Sequence, residues 1–204
     1  RFYFRYILQL PEPDEVKDEI DSPVFGNIFH ETMENLYQPF VGKTVKKTDL
    51  QRIQKDKIRI ENEIRRAIGR NYFKEENPEA GKVKLEGKTV LIFENTKIFV
   101  NQLLKLDMQQ SPFELIALEG NYKTAFHLHL NNEDTPVFIG GKIDRVDKVN
   151  GVVRVIDYKT GNVSGFSFEV LDELFEKELK KPKKEILQAL IYSMVYKDQN
   201  HVKK

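Results

Sequence analysis

Apolar residues recur at helical intervals through the first half of the chain and at every second position between Phe113 and Lys159. Residues 11–22 are acidic and interrupted by proline, which predicts a loop. The first helix is expected to start near Ser22 and Pro23, with serine as cap and proline in the first turn, and to run to Tyr37. Residues 48–71 read as one charged helix, because Leu50, Ile53, Ile60 and Ile64 fall at helical spacings among acidic and basic neighbours. Gly81 and Gly87 bracket a linker or a short strand. Val90 to Met108 reads as a further helix, with Phe93, Ile98, Val100, Leu103 and Leu104 as apolar positions. At Ser111 and Pro112 the period drops to two and β-branched residues rise, so strands are expected at 113–119, 121–130, 136–148 and 152–159. Beyond Gly161 helices return at 168–180 and 183–197, with Pro182 marking the break.

Composition narrows the class. The 204 residues are 40% apolar and 32% charged, which suits one folded domain spanning 1–204 rather than a disordered chain. Lys and Arg number 33 against 32 Asp and Glu, so there is no global pull on a polyanion, and nucleic-acid binding would need local patches. The densest basic cluster, Lys177, Lys180, Lys181, Lys183 and Lys184, reads as a solvated helix end. No apolar run reaches the ~18 residues of a membrane span, so no membrane partner is expected. The absence of cysteine excludes a disulfide framework, a thiolate zinc site and a cysteine nucleophile in this segment, and it fits a reducing compartment such as the cytoplasm. The chain opens on Arg1, without a secretory signal, and reads as a piece of a longer polypeptide.

One stretch carries chemistry. Asn150-Gly151 between two β-rich runs signals a two-residue hairpin turn. If Val149 pairs with Val152, Asp144 and Asp157 stand directly opposite each other, with Cβ atoms about 4.5–5.5 Å apart. Like charges so placed destabilise a sheet. Val146, Val153 and Val155 share their face, Ile143 and Ile156 the other, so both faces are expected to be largely buried. Such a pair persists when a cation lies between the acids or when they share a proton. Lys159 projects from the same face as Asp157. Two acids and a lysine suit a hard divalent cation, magnesium or manganese, with oxygen ligands. The plainer reading is a buried Asp157–Lys159 ion pair with Asp144 solvated at the strand end.

Asp144 followed by Asp157-Tyr158-Lys159 resembles the active-site signature of the PD-(D/E)XK nuclease superfamily. Gly140 to Asp147 followed by Asp157-Tyr158-Lys159-Thr160-Gly161 looks like its RecB-type branch, which includes AddB-like nuclease domains. Further motifs fall in that branch's order. They are Gly26 and His30 on the early helix, Gln188 and Tyr192 on the last, and the aromatic lead-in Arg1 to Tyr6. The resemblance spans about residues 1–196. It implies an α/β restriction-endonuclease-like core: a small mixed β-sheet with the 137–159 hairpin at its centre, flanked by helices.

It also implies roles. Asp144, Asp157 and the main-chain carbonyl of Tyr158 would hold a Mg²⁺ or Mn²⁺ ion, with His30 completing that site or holding a second. Glu119, at the end of a strand, is a further ligand candidate. Lys159 would position or activate water, and Gln188 and Tyr192 would orient the lysine or contact the nucleic acid. His127 and His129 share a strand face but match nothing in the family. The implied activity is metal-dependent hydrolysis of DNA, on a single strand or a duplex end, by an exonuclease or end-processing domain. The implied setting is double-strand-break repair and recombination beside a helicase domain or subunit. Many relatives clamp an iron–sulfur cluster with four cysteines; no such cluster is expected within this segment. Two other readings are a non-catalytic nucleic-acid-binding or scaffold module with a degenerate nuclease fold, and a magnesium enzyme acting on a small phosphorylated substrate. The second lacks a phosphate-cradling glycine loop.

Overall fold

The computed structural model describes residues 22–130, 133–161, 171–174 and 184–201. Helix α1 spans Ser22–Tyr37, with Pro23 in its first turn as expected. A 3₁₀ turn at Gln38–Phe40 leads into the short strand β1, Lys43–Val45. The periodic stretch that follows is two helices rather than one, α2 at Lys47–Lys55 and α3 at Lys57–Asn71. Asp56 makes the break: its carboxylate accepts the Arg59 amide at 3.1 Å and so starts a new helix. All four apolar positions read from the pattern, Leu50, Ile53, Ile60 and Ile64, are buried. Between Tyr72 and Gly87 the chain forms no strand, so the glycines there bracket a linker.

Helix α4 runs from Lys88 to Gln110. Phe93, Val100 and Leu104 are buried, whereas Ile98 is 52% exposed, because it lies on the opposite side of the helix from Val100. Strand β2 is one continuous strand, Phe113–Leu130, where two were expected. The expected division falls at Glu119, a non-glycine residue at φ +50°. Strand β3 is Glu133–Val149 and β4 is Val152–Ile156. Asp157 to Lys159 leave the sheet. The expected helix at 168–180 falls largely outside the described residues, apart from a 3₁₀ turn at Leu171–Leu174. The aromatic lead-in and most of the lysine cluster also lie outside them. The last helix, α5, spans Lys184–His201.

The sheet has the order β1-β2-β3-β4, and every pairing among the described residues is antiparallel. The parallel pairing of a mixed sheet is not among them, and β4 lies at the sheet's edge rather than its centre. The hairpin register is the expected one: Val149 pairs with Val152 and Arg145 with Ile156. Burial follows only in part. Val146 is fully buried, but Val152 and Val153, next to the turn on the edge strand, are 65% and 44% exposed.

The main core lies between α1 to α4 and the base of the sheet. Ile28, Met33, Leu36 and Tyr37 from α1 pack with Ile64, Ile68, Leu104, Phe113 and Leu115. Across that core runs a buried polar chain. The Arg145 guanidinium donates to Asp147 and Asp107, and the Tyr37 hydroxyl donates to Asp107. Among the described residues, no helix is long and apolar enough to cross a membrane.

Candidate metal and catalytic site

Three neighbouring strands bring three carboxylates to one place. The pairs Leu118 with Arg145 and Gly120 with Ile143 put Glu119 opposite Asp144. The β3–β4 register, extended by one step, puts Asp157 opposite Asp144 on the other side. Asp144 is 6% exposed, so it is not the solvated strand end of the plainer reading. Helix α1 packs across this row and inserts His30.

The imidazole makes two different approaches. His30 Nε2 lies 2.9 Å from the carbonyl oxygen of Tyr158. A carbonyl only accepts, so Nε2 carries the proton and donates it. In the neutral ring Nδ1 is then a lone pair, yet it faces Asp144 Oδ1 at 3.3 Å and Glu119 Oε1 at 3.8 Å. Three acceptors facing one another require a proton or a cation between them. One ligand atom each from His30, Glu119 and Asp144 lies within 4.8 Å of the other two. Two carboxylates and an imidazole, without sulfur, suit a divalent cation.

Tyr158 holds this cluster in place. Its amide donates to Asp144 Oδ2 at 2.6 Å while its carbonyl accepts from His30. Its ring is buried against Phe29 and His30 in edge-on contacts. Burial pushes its phenol up to about 12, and the hydroxyl lies beside the Arg145 guanidinium without a hydrogen bond of good geometry. In this arrangement the Tyr158 carbonyl orients His30, as a backbone acceptor behind a ligating histidine does.

Asp157 and Lys159 form a second group at the edge of the first. Lys159 Nζ donates to Asp157 Oδ2 at 2.5 Å and to Gln188 Oε1 at 3.1 Å. The Gln188 amide nitrogen donates to Tyr192 Oη at 2.8 Å and to Asp157 Oδ1 at 3.3 Å. Burial raises the Asp157 carboxyl above its usual range and the Asp144 charge adds to this, against the pull of Lys159. The structure therefore brings Lys159, Asp157, Gln188 and Tyr192 together, and separately His30, Glu119 and Asp144. Helix α5 turns Gln188, Tyr192 and Val195 inward, whereas Leu190 and Met194 are each 38% exposed. Gly141 makes room for this pair, since a Cβ there would sit 2.6 Å from the Tyr192 ring. Gly26 is less constrained, because its Cβ would only touch Thr160 at 3.5 Å.

A model of the PD-(D/E)XK nuclease superfamily matches residues 1–204. The chain belongs to the PD-(D/E)XK nuclease superfamily. No curated protein and no solved structure matches it. The nuclease thus has the α/β core that its motifs implied, with a cluster suited to the divalent metal that such enzymes use.

Sequence reading assigned no role to two features of this nuclease. Lys142 pairs with Glu119 at 2.7 Å, an ion pair that its place two residues before Asp144 could have suggested. Arg145 and Asp147 form a fully buried ion pair. The hairpin register sets Asp147 opposite Arg154, whereas Asp107 reaches Arg145 from α4, and no local signal pointed to it.

The geometry fixes a pH dependence for the nuclease. Burial lowers the His30 pKa, but the hydrogen bond and charge of Asp144 outweigh it, and the net shift is upward from 6.5. Without metal, the imidazolium stabilises the fold fully below pH 6.5 and loses that effect as pH rises through the raised value. A cation held by His30 Nδ1 would compete with the same proton, so its binding would run the other way. Mn²⁺ affinity measured by calorimetry should be flat at high pH and fall once pH drops into the raised His30 range, and His30→Gln should remove that fall. A wild-type affinity unchanged across pH 6 to 8.5 would exclude His30 Nδ1 as a ligand.

Proposed function

We propose that this nuclease hydrolyses DNA phosphodiester bonds with Mg²⁺ or Mn²⁺, as an exonuclease or end-processing enzyme in recombination and double-strand-break repair. The observation that carries the reading is the cluster itself: a histidine lone pair aimed at the buried Asp144 and the partly buried Glu119 carboxylates, with a clamped lysine beside it. In this reading His30, Glu119 and Asp144 hold the cation. Asp157 and the Tyr158 carbonyl would complete the set through lone pairs that their bonds to Lys159 and His30 leave open. The bound cation supplies Lewis acidity, lowering the pKa of a coordinated water and offsetting charge on the phosphate.

The remaining work falls to the chain's own groups. Lys159 has three donors, of which Asp157 and Gln188 take two. The third is left for a water or a phosphate oxygen. Gln188 fixes the ammonium, and Tyr192 fixes Gln188, because the amide oxygen can accept from Lys159 only while the amide nitrogen faces Asp157 and Tyr192. Asp144 keeps His30 in one tautomer through the Tyr158 peptide groups. The RecB-like wording of the motifs supports a DNA end as substrate and a helicase domain or subunit as partner.

The test is cleavage of linear and circular DNA, single- and double-stranded, with Mg²⁺, Mn²⁺ or chelator. Linear DNA should be degraded only with metal. Lys159→Ala should cut the rate by about 10²–10⁴-fold while Mn²⁺ affinity stays near wild type. Cleavage that survives chelation, or a Lys159→Ala variant as active as wild type, would reject the mechanism. DNA binding with no cleavage in either metal would favour a scaffold role.

A further inference from the structure

The β2–β3 hairpin extends well past the cluster as a two-stranded ribbon. Helix α5 covers one side of it, through the Tyr122–Tyr196 ring contact and the hydrogen bonds of Thr124 to Asp198 and of Gln199 to the Lys123 carbonyl. On the other side the β2 residues Asn121, Lys123, Ala125, His127 and His129 are exposed. Their cross-strand partners, Lys142, Gly140, Phe138, Pro136 and Asp134, are exposed too. This bare face is continuous with the cluster, since Lys142 pairs with Glu119.

We infer that this ribbon face is the track along which one strand of the substrate lies, with Phe138 stacking on a base. The inference rests on the nuclease reading above and names where the strand runs. Phe138 is 58% exposed, more than any other described Phe or Tyr ring. The Lys123 ammonium lies over the ring, 4.1 Å from its centroid, which puts a positive charge on one face of it. Beside them Asn121, Tyr122, Lys123, Phe138, Gly140 and Gly141 line a shallow cavity of about 350 Å³.

Of the two adjacent glycines, Gly140 belongs to the exposed face, where a Cβ would come within 2.2 Å of the Tyr122 carbonyl, and Gly141 belongs to the covered side, where one would strike Tyr192. The described charges of the face are Lys123, Lys142 and Asp134, and Asp134 is engaged at the tip by His127 and His129. Near the cluster the face presents two lysines, of which Lys142 is paired with Glu119 and Lys123 lies over Phe138. Gly140 lies four residues from Asp144, or about 13 Å along the strand, roughly four stacked base steps. Aromatic stacking with flanking cations is how proteins hold single strands without reading sequence.

The test uses the full chain with a fluorescein-labelled oligothymidine and Ca²⁺ in place of Mg²⁺. Phe138→Ala should weaken binding about tenfold, and Phe138→Trp should restore it. Lys123→Ala should lower the slope of log affinity against log salt by about 0.7. Mn²⁺ affinity should be unchanged in all three variants. If wild type binds or cleaves DNA and Phe138→Ala does so equally well, the track is wrong and the nuclease reading stands. If wild type neither binds nor cleaves any DNA, both fail.

Discussion

Asp144→Asn is expected to abolish metal-dependent cleavage and to weaken Mn²⁺ binding by at least about 100-fold. Loss of an outer-shell partner already costs about 10–100-fold in affinity or activity, and Asp144 stands closer than that. One of its oxygens faces His30 Nδ1 and the other accepts the Tyr158 amide. The substitution removes the central charge of the row formed with Glu119 and Asp157. It also turns an acceptor facing His30 into an amide that cannot hold the imidazolium. Calorimetry with Mn²⁺ and cleavage of linear DNA measure the two effects separately. A variant that binds Mn²⁺ as wild type does would remove Asp144 from the ligand set. One that loses binding but keeps its unfolding midpoint would place the loss at the site rather than in the fold.

Arg145→Met should lower stability by about 3–5 kcal/mol, the range for breaking a buried ion pair by removing one partner. Arg145 is fully buried, its guanidinium between the rings of Tyr37 and Phe113. Burial opposes its charge, but the Asp107 carboxylate and its neighbours hold it firmly protonated. Methionine would fill part of the volume and leave Asp107 and Asp147 without that partner. Asp147 would keep Arg154, at 2.7 and 2.9 Å, whereas Asp107 would keep only the Tyr37 hydroxyl. The variant should therefore regain stability as pH falls, because a buried acid that cannot find a cation takes a proton. Urea unfolding at pH 5 and pH 8 measures this. A loss below about 1 kcal/mol at pH 8 would mean the network contributes little.

The two sides of the molecule were legible to different degrees. Asn150-Gly151 alone determined the register of β3 against β4, and through it the facing of Asp144 and Asp157. Local turn chemistry decides such a pairing, so one sequence suffices. The meeting of Glu119 with His30 was not readable in this way. It depends on a register shift between Leu115 and Ala117, on the left-handed backbone at Glu119, and on the packing of α1 across the sheet. None of these is local to the residues that meet. The same limit applies to Arg145. Its strand position was clear, but Asp107 and Tyr37 come from helices distant in sequence, and only the assembled core shows that they converge.

The residues of the proposed ion cluster and those that hold the lysine are made at different times. His30, Glu119 and Asp144 all precede Gln188 in chain order, and Gln188 arrives only with α5. If the nuclease reading holds, a nascent chain would gather its cation before Gln188 and Tyr192 steady Lys159, and cutting would wait until α5 docks.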